Sequence, residues 1–126
     1  MPILQSQPKT TPEEILEHVT ECCKALDDKK ASQLVVLDMR KAFDVTDYFI
    51  IATGTSAPHL RALFSEMDAV LSNLGYQIPS KMKDYHTGWV VVDAIDFVIH
   101  LFSDEQREFY SIERLWKDCP QIKIKI

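Results

Sequence analysis

The sequence predicts an α/β fold, in which helices flank a central mixed sheet within a single layered domain. Two short, continuous apolar runs, at 34–37 and 48–53, are typical of strands that are covered on both faces. Helical repeats lie beside these runs, which indicates layers around a sheet. Two further apolar runs within 89–102 predict an antiparallel hairpin.

The length and composition predict one domain. The chain has 126 residues, of which 46% are hydrophobic, so it can form one core and is too short for two ordinary domains. We expect a flexible segment at 1–11, a single domain at 12–118 and a tail at 119–126. The tail alternates between Ile and Lys from Ile122, as a half-exposed strand would, and it either pairs with a sheet edge or remains free.

The first helix is predicted to begin at Pro12. Thr11 can accept the N–H of Glu14, whose side chain can reach back, which is the pattern of a capping box. Apolar residues then recur at intervals of three and four until the pattern fades over 27–30. These residues are Ile15, Val19, Cys22, Cys23 and Leu26.

The clearest helix follows the turn Gly54-Thr55-Ser56. Ser56 is a good N-cap candidate with Pro58 close behind, although Thr55 can take the capping role with a shift of one residue. Gly75 can supply the left-handed residue that ends the helix. The apolar stripe is interpreted as a wall of the core rather than a groove for a partner. It comprises Leu60, Leu63, Phe64, Met67, Val70, Leu71 and Leu74.

The C-terminal third predicts a hairpin and a third helix. Strands at 89–93 and 97–102 are joined by only three residues, which forces an antiparallel pairing. Ser103 with Gln106 makes a second capping box, and the charged residues at 104–108 are interpreted as a solvated helix start. We expect one apolar face on this helix until Pro120 ends it, formed by Phe109, Ile112, Leu115 and Trp116.

The charge and the cysteines restrict the class of protein. A net charge of −5 weighs against a surface that grips phosphate backbones and favours a basic protein partner. Cys22, Cys23 and Cys119 form no C-x-x-C pair, so buried structural thiols in a reducing cytosol are expected rather than a metal site. No apolar run approaches the roughly 20 residues that span a bilayer, so we expect a cytoplasmic protein with no membrane contact.

An enzyme hypothesis starts from the Gly54–Ser56 turn, which can hold phosphates, together with Asp93 and Asp96 as metal ligands. Two-metal catalysis needs carboxylates that converge on ions about 3.5 to 4 Å apart. An Asp-x-x-Asp spacing points the two side chains to opposite faces of a strand, and the pair is expected to straddle a turn instead. The spacing therefore opposes catalysis, and no catalytic residue, metal or cofactor is expected.

Two histidines and two tryptophans have alternative interpretations. His59 lies in the first helical turn, where an imidazole can hydrogen-bond locally, and His100 should share a strand face with Val98 and Phe102. Both are interpreted as structural or interface residues rather than catalytic ones. Trp89 is evenly balanced between the core and an interface anchor, whereas Trp116 is interpreted as core.

The ordered segments Thr46–Ser56 with His59, Trp89-Val90-Val91-Val92-Asp93 and Leu115-Trp116 resemble the Iojap-like ribosomal silencing factor family. The resemblance covers roughly 32–118 and implies a nucleotidyltransferase-like fold in a binding module that is not an enzyme. The positions that match the family pattern are Asp47, Tyr48, Gly54, Thr55, Ser56, His59, Trp89, Asp93, Asp96, His100, Arg107, Tyr110, Glu113, Leu115 and Trp116.

The resemblance implies a partner and a set of contact residues. It implies binding to the fourteenth protein of the large ribosomal subunit, a steric block to subunit joining, a possible homodimer when free, and little direct nucleic-acid contact. The alternative is a nucleotide-binding protein or nucleotidyltransferase. The implied partner-binding residues are Trp89, Asp93, Asp96, His100, Tyr110 and His59. Seven further matches are expected to be fold or turn positions, namely Asp47, Tyr48, Gly54, Thr55, Ser56, Leu115 and Trp116.

The sequence departs from the family pattern at three places. Pro58 stands where an Arg usually precedes the His, and Met82-Lys83 occupies a usual Glu-Gly. Ile95 replaces a turn glycine, which predicts a hairpin turn that needs no positive φ. These departures bear on individual contacts rather than on the family assignment.

Overall fold

The computed structural model describes residues 11–42, 46–77 and 87–126. The expectations for the first ten residues and for Met82-Lys83 lie outside these ranges. The helices and strands are α1 (Pro12–Asp28), β1 (Ser32–Asp38), β2 (Tyr48–Gly54), α2 (Ala57–Asn73), β3 (Trp89–Asp93), β4 (Phe97–Ser103), α3 (Asp104–Tyr110) and α4 (Ile112–Leu115).

The strands of the described residues form one mixed sheet in the order β1-β2-β4-β3. β2 runs parallel to β4, whereas β1 and β3 pair antiparallel with β2 and β4 respectively. The predicted hairpin is therefore present as β3 and β4. Because β2 and β4 are parallel, Gly54 and Ser103 lie together at one end of the sheet, and Tyr48 and Phe97 lie together at the other.

One face of the sheet is covered by α1 and α2. The capping box of α1 is formed, since the Glu14 N–H donates to Thr11 Oγ1 at 3.1 Å and Glu14 Oε1 accepts from the Thr11 N–H. Ser56 caps α2, and Gly75 has the left-handed φ of +93°. The apolar stripes of both helices are buried against the sheet, which confirms that the α2 stripe is a wall of the core.

The prediction of one continuous helix with one apolar face after Ser103 is wrong. Ser103 caps α3 as predicted. Ser111, however, takes a left-handed φ of +46° and interrupts the helix, so that α3 and α4 are separate. Phe109 and Leu115 are 76% and 73% exposed, whereas Ile112 is buried, so these residues do not share one apolar face. A single helical period does not describe a chain that changes direction at one residue.

The tail pairs with the edge of the sheet, which settles the two alternatives left open by its pattern. The Ile122 N–H donates to the Val36 carbonyl and the Asp38 N–H to the Pro120 carbonyl, both at 2.8 Å. Ile122 and Ile124 pack against the core beneath α1 and β1. The tail therefore covers part of an otherwise open strand edge.

The three cysteines are buried free thiols, as predicted. Burial raises the pKa of the Cys22 thiol, and it raises the pKa of Cys23 to about 12. Protonated, enclosed thiols are poor nucleophiles, so both residues serve the packing of α1. No helix within the described ranges is long and apolar enough to cross a membrane.

Candidate functional site

The sheet face opposite α1 and α2, here called the outer face, carries alternate residues of the hairpin. The register pairs Trp89 with Phe102, Val91 with His100 and Asp93 with Val98. Side chains that alternate along a strand share a face, and Phe102, Trp89 and Val98 belong to the cluster packed on this side. The face sharing predicted for His100, Val98 and Phe102 is confirmed.

Only part of the outer face is covered. Ile112, Trp116 and Cys119 pack over β2 and β1, while the side chains toward the β3 edge remain partly accessible. Tyr110, at the end of α3, is 47% exposed and lies beside them. We call this accessible set the outer strip, which consists of Trp89, Val91, Val98 and Tyr110.

Trp89 lies at the centre of an aromatic cluster and is half-buried. Its ring stacks on Phe102 with centroids 5.1 Å apart and lies 4.5 Å from the ring of Tyr110. Its indole Nε1–H donates to His100 Nδ1 at 3.2 Å. Trp89 therefore contributes to the packing of the outer face and to its accessible surface. Its role as an interface anchor stays a prediction.

His100 is only 6% exposed and lies beneath the outer strip. Because an indole N–H can only donate, His100 Nδ1 must accept, and the proton of the neutral ring must be on Nε2. Nε2 is buried without a hydrogen-bond partner among the described residues. Burial lowers the pKa of His100 to about 4, so the imidazole is neutral at physiological pH.

The hairpin turn contradicts one prediction. Ile95 has a left-handed φ of +70°, so the expectation that this turn needs no positive φ is wrong. The Ile95 N–H donates to Asp93 Oδ1 at 2.8 Å, and the antiparallel strands on both sides hold the turn closed. Asp93 thus caps the turn, and the surrounding hydrogen bonds impose a conformation that isoleucine disfavours.

Asp96 faces the helix layer rather than the outer face. The Tyr76 hydroxyl donates to Asp96 Oδ2 at 3.4 Å and lies 2.7 Å from His18 Nδ1 on α1. The Asp96 carbonyl accepts the Asp47 N–H at 2.9 Å, and burial, followed by the charge of Asp96, raises the pKa of Asp47. The two aspartates of the hairpin therefore point to different sides of the sheet.

His59 lies at the opposite end of the sheet from Asp96, and its side chain is hydrogen-bonded by its own chain. Its Nδ1 accepts the Thr55 N–H at 2.9 Å, and its Nε2 donates to the Lys29 carbonyl at 2.7 Å. The His59 N–H donates to Ser56 Oγ. The local hydrogen bonding predicted for His59 is present. It occupies the Thr55 N–H, a backbone donor of the turn that a bound phosphate would need.

The proposed nucleotide site is not assembled. A Cβ at Gly54 would lie 2.9 Å from Leu60 Cδ2, so a side chain there would have to displace the buried Leu60 of α2. Asp93 and Asp96 lie at the other end of the sheet, a strand length of about 20 Å from Gly54 at roughly 3.3 Å per residue. Within the described residues no group of three or more His, Cys, Asp or Glu side chains could hold a metal ion.

The remaining matched positions occupy varied surroundings. Tyr48 is buried in the core, with the Arg40 guanidinium 5.5 Å from its ring centroid. Trp116 packs edge-on against Phe49 at 6.1 Å, as a core interpretation predicts, whereas Leu115 is exposed. The residues expected to be fold or turn positions are therefore not all buried.

Three features of the site were not predicted. Arg107, assigned to a solvated helix start, is only 7% exposed and donates to Glu113 and Thr53. Val91 and Val98 belong to the outer strip but were not named as site residues. Their alternation with buried residues along each strand is the sequence signal that could have identified them. The exposure of Phe109 was missed because a continuous helix would place it on one face with Ile112, and the left-handed Ser111 removes that relationship.

The residues implied as partner-binding form three separate groups. Trp89, His100 and Tyr110 come together at the outer strip with Asp93 at the edge of the same face, while Asp96 and His59 lie elsewhere. The described residues thus form a mixed α/β sheet with an accessible aromatic strip on one face, which is a candidate surface for a protein partner.

Comparison with known proteins gives the family. The family model described as "Ribosomal silencing factor during starvation" matches residues 12–126, so the chain belongs to the ribosomal silencing factor (RsfS) family. Its members are not enzymes. The family resemblance of the ordered motifs is thereby confirmed.

Individual relatives agree with this assignment. The ribosomal silencing factor RsfS of Bacillus subtilis is 37% identical over 97 residues, which cover 76% of this chain and 81% of that protein. The chloroplastic protein Iojap of Arabidopsis thaliana is 34% identical over 112 residues, 88% of this chain and 46% of that protein. A crystal structure of a Chromobacterium violaceum protein superposes with a TM-score of 0.77 at 30% identity, over 90% of this chain and 93% of that one.

Proposed function

We propose that this protein binds the large ribosomal subunit through its fourteenth protein and sterically blocks joining of the small subunit, which represses translation. Family membership supports a role at the ribosome. The observation that carries the proposal is the outer strip, a half-exposed aromatic and aliphatic surface formed by β3, β4 and the end of α3. Tryptophan and tyrosine are the side chains that most often supply the binding energy of small protein interfaces.

The charges around the outer strip favour a basic protein partner. Asp93 is exposed at one end of the strip, and Asp104, Glu105 and Glu108 are exposed on the helix that carries Tyr110. With the net charge of −5, these carboxylates speed encounter with a basic ribosomal protein and disfavour contact with RNA phosphates. Little direct contact with nucleic acid is therefore part of the proposal.

Silencing by this route needs occupancy and no chemistry. A folded domain held on the joining surface of the large subunit excludes the small subunit by its volume. When the protein is free, the same apolar strip is a surface on which a second copy can pair, and we include a homodimer that gives way to the ribosomal complex. The proposed place of action is the cytosol.

Co-sedimentation and light scattering test the proposal together. The protein is mixed with purified large subunits and sedimented through a sucrose cushion, and then small subunits are added while scattering reports joining. We expect saturable co-sedimentation and a dose-dependent loss of the joining signal. Adding the protein after joining separates a steric block, which acts weakly on joined ribosomes, from active dissociation. Absence of both co-sedimentation and inhibition overturns the proposal.

A further inference from the structure

We propose that His100 is a positioning residue for docking, which holds the Trp89 indole in the orientation that the outer strip presents to its partner. His100 is buried and does not itself reach the accessible surface. The role rests on the proposed function, because it requires that the outer strip meets the ribosomal partner. His100, which matches the family pattern, would thus act on binding through Trp89 and would not contact the partner itself.

The ring contacts of Trp89 leave one degree of freedom open. Stacking on Phe102 and the approach to Tyr110 fix the plane of the indole, but a stacked ring is held similarly when it is flipped over. The hydrogen bond from Nε1 to His100 Nδ1 distinguishes the two orientations, since only one of them directs the N–H to the acceptor. His100 therefore selects which edge of the indole is turned outward.

The surroundings of His100 indicate that a histidine differs from an apolar residue at this position mainly by its acceptor nitrogen. The Phe49 ring lies 4.6 Å away edge-on, and Phe102 stacks at 6.2 Å, so an apolar residue would suit this space. The imidazole instead leaves Nε2 without a partner among the described residues, which is unfavourable for a buried donor. Among the described residues, the hydrogen bond to Trp89 is the one polar contact of the His100 side chain, and leucine cannot make it.

Three variants separate positioning from packing. His100→Leu removes the acceptor, His100→Asn keeps an oxygen at the place of Nδ1, and Trp89→Phe keeps an aromatic ring without the donor. For a hydrogen bond of ordinary strength we expect His100→Leu to bind large subunits about fivefold more weakly, and His100→Asn to bind close to wild type. In the Trp89→Phe background, His100→Leu should cause no further loss.

The indole N–H provides a readout that does not depend on the ribosome. In ¹⁵N NMR of the free protein, the Trp89 indole proton should exchange slowly with water in wild type and His100→Asn and at least tenfold faster in His100→Leu. Melting temperatures identify a variant that fails to fold. If His100→Leu is such a variant, Trp89→Phe alone must weaken binding by the same factor.

The outcomes distinguish this role from the function on which it rests. If wild type does not bind large subunits, the proposed function fails and the docking role fails with it, while indole exchange still reports the hydrogen bond. If wild type binds and His100→Leu binds equally well, or its indole stays protected, only the positioning role is overturned. Equal weakening by His100→Leu and His100→Asn also overturns it, because packing alone then explains the loss.

Discussion

The guanidinium of Arg107 pairs with both carboxylate oxygens of Glu113 across the left-handed break between α3 and α4. Nη2 lies 2.6 Å from Oε2 and Nε lies 3.1 Å from Oε1, while Nη1 donates to Thr53 Oγ1 at 2.8 Å. The side chain of Arg107 is nearly buried, so Glu113 is the counter-ion that offsets the cost of burying its positive charge. The pair ties the last two helices to β2 and fixes the helix end that carries Tyr110.

Removal of the carboxylate should therefore destabilise the fold. In Glu113→Ala the buried guanidinium keeps its charge and loses its counter-ion, and we expect the free energy of unfolding to fall by about 2 kcal/mol. Urea denaturation measures the change. Glu108→Ala is the matched control, because it removes the same charge from an exposed position on α3 and should cost less than about 0.5 kcal/mol. Equal losses in the two variants would contradict the role of the pair.

The hairpin turn offers a stabilising substitution. Ile95→Gly should raise the free energy of unfolding by about 1 kcal/mol, because glycine adopts a φ of +70° without the steric cost that a Cβ imposes. The Ile95 side chain is 66% exposed, so little packing is lost. Ile95→Ala keeps the Cβ and should gain nothing by comparison. Thermal melting of both variants decides, and a gain in the alanine variant alone would contradict strain as the cause.

Local sequence signals predicted the elements that depend on neighbours along the chain. The capping residues Thr11, Ser56 and Ser103 and the hairpin were all found from short patterns. The left-handed residues Ile95 and Ser111 were missed, because neither isoleucine nor serine favours that conformation and tertiary contacts impose it. Helix ends that arise from such residues cannot be read from periodicity.

The tail should stabilise the sheet through its isoleucines and not through its lysines. Ile122→Ser with Ile124→Ser removes two partly buried side chains from the edge of the core, and we expect a loss of about 2 kcal/mol in unfolding free energy. The double variant should also self-associate at high concentration, because the β1 edge becomes more accessible. Lys123→Ser with Lys125→Ser alters the exposed positions and serves as the control. Urea denaturation and sedimentation velocity provide the two measurements, and similar behaviour of the pairs would refute this account.

Stability should decrease in acid partly because of His100. Its pKa is about 4 in the folded protein and about 6.5 when exposed, so the unfolded chain binds a proton between these values and the folded chain does not. The contribution is fully present above pH 6.5 and is lost progressively toward pH 4, by at most about 3 kcal/mol in total. In urea denaturation across this range, wild type should lose more stability than His100→Asn. His18 and His59 are common to both proteins, so parallel pH curves would rule out the effect of His100.

The composition of the candidate site could be predicted only in part. Trp89 and His100 are eleven residues apart, and their contact follows from the hairpin register, which the short connection almost fixes. The separation of Asp93 from Asp96 follows from the direction of one turn, and His59 is separated from the outer face because α2 packs on the other side of the sheet. Those relationships depend on the tertiary fold. The family pattern alone therefore could not show that Asp96 and His59 lie apart from Trp89 and His100.

Truncation of Trp89 tests where the partner docks. Trp89→Ala removes the largest side chain of the outer strip, and we expect the affinity for large subunits to fall by about 2 kcal/mol, roughly thirtyfold. Because Trp89 is half-buried, part of the effect could come from lost stability, so the variant must first show the circular dichroism spectrum of wild type and remain folded at the assay temperature. Leu16→Ala is the matched control, since Leu16 is an exposed apolar residue on α1, in the layer behind the sheet. If the folded Trp89→Ala protein binds as tightly as wild type while Leu16→Ala binds weakly, the docking surface lies on the helix layer and the outer strip is not the interface.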